Sequence, residues 1–275
     1  YTQAPTNFAT TDPAPAWVQS WFDSRAKRQS AAGVATAAVA TPAAEQAQAK
    51  RTAARTEKVA AGLAELMVWL KDLVRVGFAE AQTQPYTFWQ SMAARLIDAQ
   101  APGLAAQVQM LGRLAVSGEG WAERLTDAVG KLFLLVEAYQ RLERLPPGLQ
   151  QDVRTAIGWY QSREDVLAGE PVHGRWQVLS HLVEKEDALL NQRVWLRHCA
   201  DGRYALILNF AHESNRQPLD AFWRVGAEVD CTLYYYASST PLRALATDVK
   251  TIAEMGQLTA TLDGKAALHT YQQAL

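Results

Sequence analysis

Gly174-Arg-Trp-Gln-Val-Leu-Ser-His-Leu-Val183 is the stretch at which the chain changes its period. Here Trp176, Val178, Ser180 and Leu182 alternate with Gln177, Leu179, His181 and Val183, the two-residue repeat of a β-strand. Downstream the alternation recurs. Asn191, Arg193, Trp195 and Arg197 alternate with Leu190, Gln192, Val194 and Leu196, and Tyr204, Leu206, Leu208 and Phe210 share one strand face. Asp201-Gly202 lies between these two segments, and its residues tolerate the positive φ of a tight hairpin, so the two strands are expected to be antiparallel neighbours. In a fourth strand Val229, Cys231, Leu233 and Tyr235 form one face and Asp230, Thr232, Tyr234 and Tyr236 the other; Pro241 to Ala246 is expected as an edge strand.

Upstream of Gly174 the period is helical. Val59, Leu63, Leu66, Met67, Leu70, Leu73 and Val74 form one apolar stripe, and Phe88, Trp89, Met92, Leu96 and Ile97 a second. Pro102 suits the first position of a helix carrying Leu104, Val108, Leu111 and Leu114. A longer stripe runs from Trp121 to Leu142 and stops at Pro146-Pro147, and Leu149, Val153, Ile157 and Trp159 make one more. No repeat of fixed period joins them, so a bundle is expected rather than a solenoid. Helices first and strands second give an α+β class: an N-terminal helical bundle followed by a mainly antiparallel β-sheet.

The domain reading follows. Residues 1–25 are an arm with a short amphipathic helix at Trp17, Val18, Trp21 and Phe22; residues 26–56 are an alanine-rich basic linker or a loosely attached helix; 57–170 form the bundle, 171–247 the sheet, and 248–275 a C-terminal helical segment. Helical spacing up to Leu275 without a cap, and the lack of an initiator Met, read as an excised piece of a longer protein.

The whole chain has 275 residues, 49% of them hydrophobic, enough for an ordinary core. Its 27 Lys and Arg against 28 Asp and Glu leave a net charge of -1, which offers no global attraction to polyanions. The one basic stretch holds Arg25, Lys27, Arg28, Lys50, Arg51, Arg55 and Lys58 against Glu45 and Glu57. Of these, Lys27, Arg28, Lys50, Arg51 and Arg55 are the candidate contacts for a polyanion. Two cysteines, no signal peptide and no long apolar run lead to the expectation of a soluble cytoplasmic protein.

Catalytic patterns are sought without success. His173, His181, His198, His212 and His269 lie too far apart for a zinc site, and no metal and no catalytic residue is assigned. Gly118-Glu-Gly120 lacks the strand and third glycine of a dinucleotide loop. Glu184, Glu186 and Asp187 cluster as paired carboxylates do in hydrolases, but Lys185 among them reads as a solvated turn. An enzyme is not expected; a hydrolase using Glu184 and Glu186 is the alternative. The mixed-face Tyr234 and Tyr236, with the acidic turn Glu184, Glu186 and Asp187, are the expected contact for a protein partner.

Several stretches taken in order resemble bacterial SWIM zinc-finger proteins downstream of the finger: Pro15-Ala-Trp-Val18, Ala64-Glu-Leu with Trp69-Leu-Lys-Asp-Leu73, Arg95-Leu-Ile-Asp-Ala-Gln-Ala-Pro-Gly-Leu104, Leu135-Val-Glu-Ala-Tyr139, Ile157-Gly-Trp159, Gln192-Arg-Val-Trp-Leu196 and Pro241-Leu-Arg-Ala-Leu245. The resemblance covers nearly the whole chain. It implies zinc held by a Cys-x-Cys and Cys-x-His pattern upstream of Pro15; that pattern is not in this sequence, so no cofactor is expected here. It also implies a non-catalytic interaction or scaffold role accessory to a MoxR-type AAA+ ATPase and a von Willebrand A protein. The alternative is a nucleic-acid-associated protein touching DNA through the missing finger and the basic linker.

Overall fold

In the computed structural model, residues 42–186, 189–212, 219, 223–253 and 263–274 are described. The chain divides into residues 1–54 and residues 55–275. Within the first, the described residues are helical. The expected helix at Trp17 to Phe22 and the first part of the linker lie outside the described residues. From Pro42 the alanine-rich stretch is not an irregular tether: it belongs to a helix α1, Pro42–Val76, that continues into the first apolar stripe. Alanine costs no side-chain entropy in a helix, so composition that buries little still favours this backbone.

Residues 55–275 hold the remaining elements. Helices α2 (Phe78–Thr83), α3 (Tyr86–Asp98), α4 (Pro102–Ala115), α5 (Trp121–Gln140), α6 (Pro147–Ile157) and the short α7 (Arg163–Leu167) are followed by β1 (Pro171–Glu186), β2 (Leu189–His198), β3 (Tyr204–His212), β4 (Glu228–Tyr235) and β5 (Arg243–Ala253), then by α8 (Gly264–Ala274). The stripes meet as expected: Leu63, Leu66, Trp89, Leu96, Leu104, Leu111, Leu125 and Leu132 are each no more than 2% exposed and form one core. Ile97, counted in the second stripe, is 55% exposed, because Leu96 beside it already fills the inward direction. Trp69, Phe88 and Trp89 pack edge to face or tilted with ring centroids 5.2 to 5.6 Å apart, fixing α1 against α3.

The sheet closes into a barrel in the order β1-β2-β3-β5-β4, with β4 returning to β1. All neighbours are antiparallel except β3 and β5, which meet in parallel at Leu206 with Arg243 and Ile207 with Ala244. This five-stranded Greek-key closure is the topology of an OB-fold barrel. It corrects the expected edge strand at 241–246: β5 is paired on both sides and continues to Ala253, inside the stretch expected as helical.

Two details set which side chains face inward. A register shift between Val178 and Ser180 inserts one extra residue into β1. The regular alternation expected for β1 therefore breaks: Trp176 and Val178 point inward, but beyond the bulge His181 pairs with buried Val194 and takes the inward place. Asp201-Gly202 forms the expected turn, with Gly202 at φ 77, the left-handed region open to glycine. Asp201 accepts from the backbone N–H of Arg203 at 3.1 Å and pairs with His198 Nδ1 at 2.7 Å. The backbone N–H above all, then His198, draws its carboxyl down to about 2.

Candidate interaction surfaces

Bundle and barrel are fastened through the loop between β4 and β5. The Asp152 carboxylate of α6 accepts from the Ser239 backbone N–H at 2.9 Å and from the Ser239 hydroxyl. Gln161 clamps Ala237 from both sides, its amide donating to the Ala237 carbonyl at 2.9 Å and its carbonyl accepting from the Ala237 N–H at 3.0 Å. Gly148 lies so near that a Cβ there would stand 2.5 Å from the Ser238 carbonyl oxygen. Partial burial would raise the Asp152 carboxyl, but the bonds from Ser239 and Ser238 outweigh it and hold it below its ordinary value of 3.8.

Asp152→Ala is expected to destabilise the chain by about 1 kcal/mol at neutral pH, the worth of hydrogen bonds to a partly solvated carboxylate. A group whose folded pKa is depressed contributes above its unfolded pKa and loses that contribution as pH falls through the folded value. The gap between wild type and Asp152→Ala in thermal melts should therefore close on acidification below 3.8. A gap that widens there would show that the carboxylate is not what holds the loop.

On the bundle, α1 and α5 leave an apolar groove of about 550 Å³ lined by Leu70, Val74, Phe78, Phe133 and Leu134, with Lys71 at its rim. Val74 is 54% and Leu134 67% exposed. Val74 belongs to the stripe expected as core, yet the helices leave it open.

The barrel carries a second surface. On β2 and β3 the outward pairs are Arg197 with Tyr204, Trp195 with Leu206, Arg193 with Leu208 and Asn191 with Phe210; Leu182 of β1 pairs with Arg193. Phe210 is 60% exposed, and Tyr204 and Leu182 47% each. Inside the same strands, fully buried Gln192 shares its amide with His181 Nε2 at 3.0 Å and accepts from Asn209 at 2.8 Å, a satisfied polar layer in an otherwise apolar interior.

The expected contact residues are distributed over these elements rather than gathered. Tyr234 pairs with Pro171 at the start of β1, whereas Glu184 lies near its end, roughly 40 Å away along the strand at about 3.3 Å per residue. Tyr236 is half-buried, with the Arg243 guanidinium 4.3 Å from its ring centroid. Glu184 pairs with Arg193 at 2.9 Å. Glu186 ends β1, and Asp187 lies outside the described residues, as do Lys27 and Arg28. Lys50 and Arg51 are exposed on α1, and the Arg55 guanidinium stacks 4.5 Å from the Trp159 ring centroid. His173 bonds Thr232 at 2.7 Å, and burial pushes the Cys231 thiol up to about 12. The β2–β3 face was the surface not singled out from sequence; the signal was the run Tyr204, Leu206, Leu208, Phe210 opposite two arginines.

Among the described residues no three His, Cys, Asp or Glu side chains come together as a metal ion requires. No described helix is long and apolar enough to cross a membrane. Residues 54–157 match the family model of the SWIM-associated four-helix bundle domain. No curated protein and no solved structure matches the chain. The match runs along the helical part of the chain, from within α1 to the end of α6, and supports reading that part as a region of a SWIM zinc-finger family protein.

Proposed function

We propose that the chain is a non-catalytic interaction region of a SWIM zinc-finger protein, accessory to a MoxR-type AAA+ ATPase and its von Willebrand A companion. The observation that carries this reading is the open apolar groove between α1 and α5. Exposed Val74 and Leu134 cost solubility and contribute nothing to the bundle core, which is the signature of a surface meant to be covered. Its shape between two helices suits the apolar stripe of a third helix, with Lys71 at the rim favouring an acidic flank on that partner. The carboxylate at Glu184 is engaged by Arg193, which speaks against its serving as a free general acid.

The test is affinity purification of the full-length protein from its host beside the variant Leu134→Glu. Because Leu134 points mostly into solvent, the variant should fold and melt as the wild type does. Recovery of the ATPase or von Willebrand A protein should fall at least tenfold, since a charge desolvated in an apolar contact costs more than about 1.4 kcal/mol. Undiminished recovery would remove the groove from the reading, and failure of the wild type to recover either component would remove the pathway.

A further inference from the structure

We propose that the cavity at the turn between α1 and α2 binds a quaternary or N-methylated ammonium group, carried by a small choline-like cation or by a methylated lysine side chain. The proposal is independent of the apolar groove between α1 and α5 and goes beyond the scaffold reading.

The cavity is made by a break in the helix. α1 ends at Val76, and Gly77 takes φ 99, a left-handed conformation that is open to glycine and costly for other residues. Its N–H donates to the Leu73 carbonyl at 3.1 Å, and its own carbonyl accepts from the Glu80 N–H at 3.2 Å, so the chain turns at once into α2. Had α1 run on, Glu80 would lie about 12 Å beyond Asp72 along the axis, at about 1.5 Å per residue. The turn instead brings exposed Asp72 and exposed Glu80 to one cavity of about 250 Å³, whose wall includes Trp69 and Phe88. On α1 its lining positions recur at helical spacing, at 69, 72, 73 and 76, and form a different face from Leu70, Lys71 and Val74 of the groove.

The wall and its charges select the ligand. Trp69 and Phe88 are half-buried rings with centroids 5.2 Å apart, and the lining surface is mainly apolar, which disfavours an ion that holds its water tightly. Aromatic faces attract a cation, indole most strongly, and the attraction grows as the cation is desolvated. A quaternary ammonium carries its charge under an apolar surface and suits both the rings and the aliphatic lining, whereas the bare lysine ammonium is strongly hydrated. The described lining residues include two acids and no Lys or Arg. The Thr83 hydroxyl and the Gln84 amide both donate to Glu80 Oε1, at 3.1 and 3.4 Å, which leaves Oε2 without a partner among the described residues. Asp72 meets Arg75 at 3.7 Å, an exposed pair that contributes little and that a ligand cation can replace. At about 250 Å³ the cavity is smaller than the roughly 300–1,000 Å³ that accepts a drug-sized ligand, which limits the occupant to one small molecule or one side chain.

The experiment is a ligand-observed saturation-transfer NMR titration of the full chain. Its probes are choline, N-acetyl-trimethyllysine amide, the unmethylated lysine amide, and the carbon isostere of choline in which a tert-butyl group replaces the trimethylammonium. Choline or the trimethyllysine amide should bind about tenfold more tightly than the uncharged isostere, the excess that a desolvated cation on an aromatic wall supplies. Whichever of the two binds more tightly names the source, a free small molecule or a side chain of a partner, and the unmethylated amide should bind more weakly than the methylated one. Asp72→Asn combined with Glu80→Gln, both at exposed positions, should weaken binding about fivefold with an unchanged melting curve. Trp69→Leu keeps an apolar wall but removes the indole face, and should weaken binding about tenfold. Should that variant melt early because Trp69 also packs on Trp89, the carboxylate variant decides. Leu134→Glu should leave choline affinity untouched, which separates this result from the fate of the groove. The proposal is overturned if the wild type binds neither methylated cation, or if the carbon isostere binds as tightly as choline. It is equally overturned if the unmethylated amide matches the methylated one, or if the carboxylate variant binds undiminished.

Discussion

Gly158→Ala is expected to cost about 3 kcal/mol. Gly158 caps α6 at φ 100, where an L side chain costs about 1 kcal/mol or more. The added Cβ would also stand 2.7 Å from the Gly103 amide nitrogen and from Pro102 Cγ, a backbone and a rigid ring that cannot rotate aside. Gly103 meets the same crossing from the other side, since its own Cβ would lie 2.3 Å from the Ala156 carbonyl oxygen. The first turn of α4 and the end of α6 thus meet backbone to backbone with the Pro102 ring beside them, and overpacking of this kind adds a further 1–3 kcal/mol, roughly. Gly130→Ala is the control: nothing stands within 4 Å of its Cβ, and in mid-helix alanine is favoured by up to about 1 kcal/mol. Urea unfolding of the two variants should shift in opposite directions. A Gly158→Ala midpoint equal to wild type would show that α4 and α6 do not cross this closely.

Trp89→Ala should be the more damaging core change, at about 3–5 kcal/mol. The ring is 2% exposed, contacts Trp69 and Phe88, and lies so close over Gly112 that a Cβ there would be 2.7 Å from its Cγ. That glycine admits the indole, and having no side chain it cannot fill the void that alanine would leave. Against a total stability of roughly 5–15 kcal/mol the loss is a large fraction of the whole. Helical circular dichroism against denaturant measures it, and a loss below about 1 kcal/mol would place Trp89 outside the core.

What the sequence made legible was local. The helical stripes carry their own period, and Leu104, Val108 and Leu111 are buried as their spacing demands. Asp201-Gly202 announced its hairpin because a left-handed turn restricts residue choice. Barrel closure was not legible, since it rests on β5, whose Thr247, Asp248 and Lys250 break apolar alternation, and on a two-residue parallel contact between distant segments. The bulge in β1 was hidden too: one inserted residue leaves the composition unchanged but reverses the faces beyond it. For the candidate surfaces, residue types were readable and distances were not. Tyr234 and Glu184 look like neighbours of one sheet until their positions along β1 are known. The groove depends on which helix fails to cover Val74, and no pattern within α1 records that.

The clamp from Gln161 to Ala237 also bears on where this protein can be cut. The match to the four-helix bundle domain ends at residue 157, a natural place to terminate an expressed fragment. Such a fragment would keep Asp152 and Gly148 but discard Gln161 together with the loop that all three hold. A recombinant bundle stopped there would present its half of a torn joint to solvent, including a carboxylate stripped of its donors. The natural unit for crystallisation, labelling or grafting onto another protein extends through the barrel, because the family boundary runs through the middle of a fastening rather than beside it.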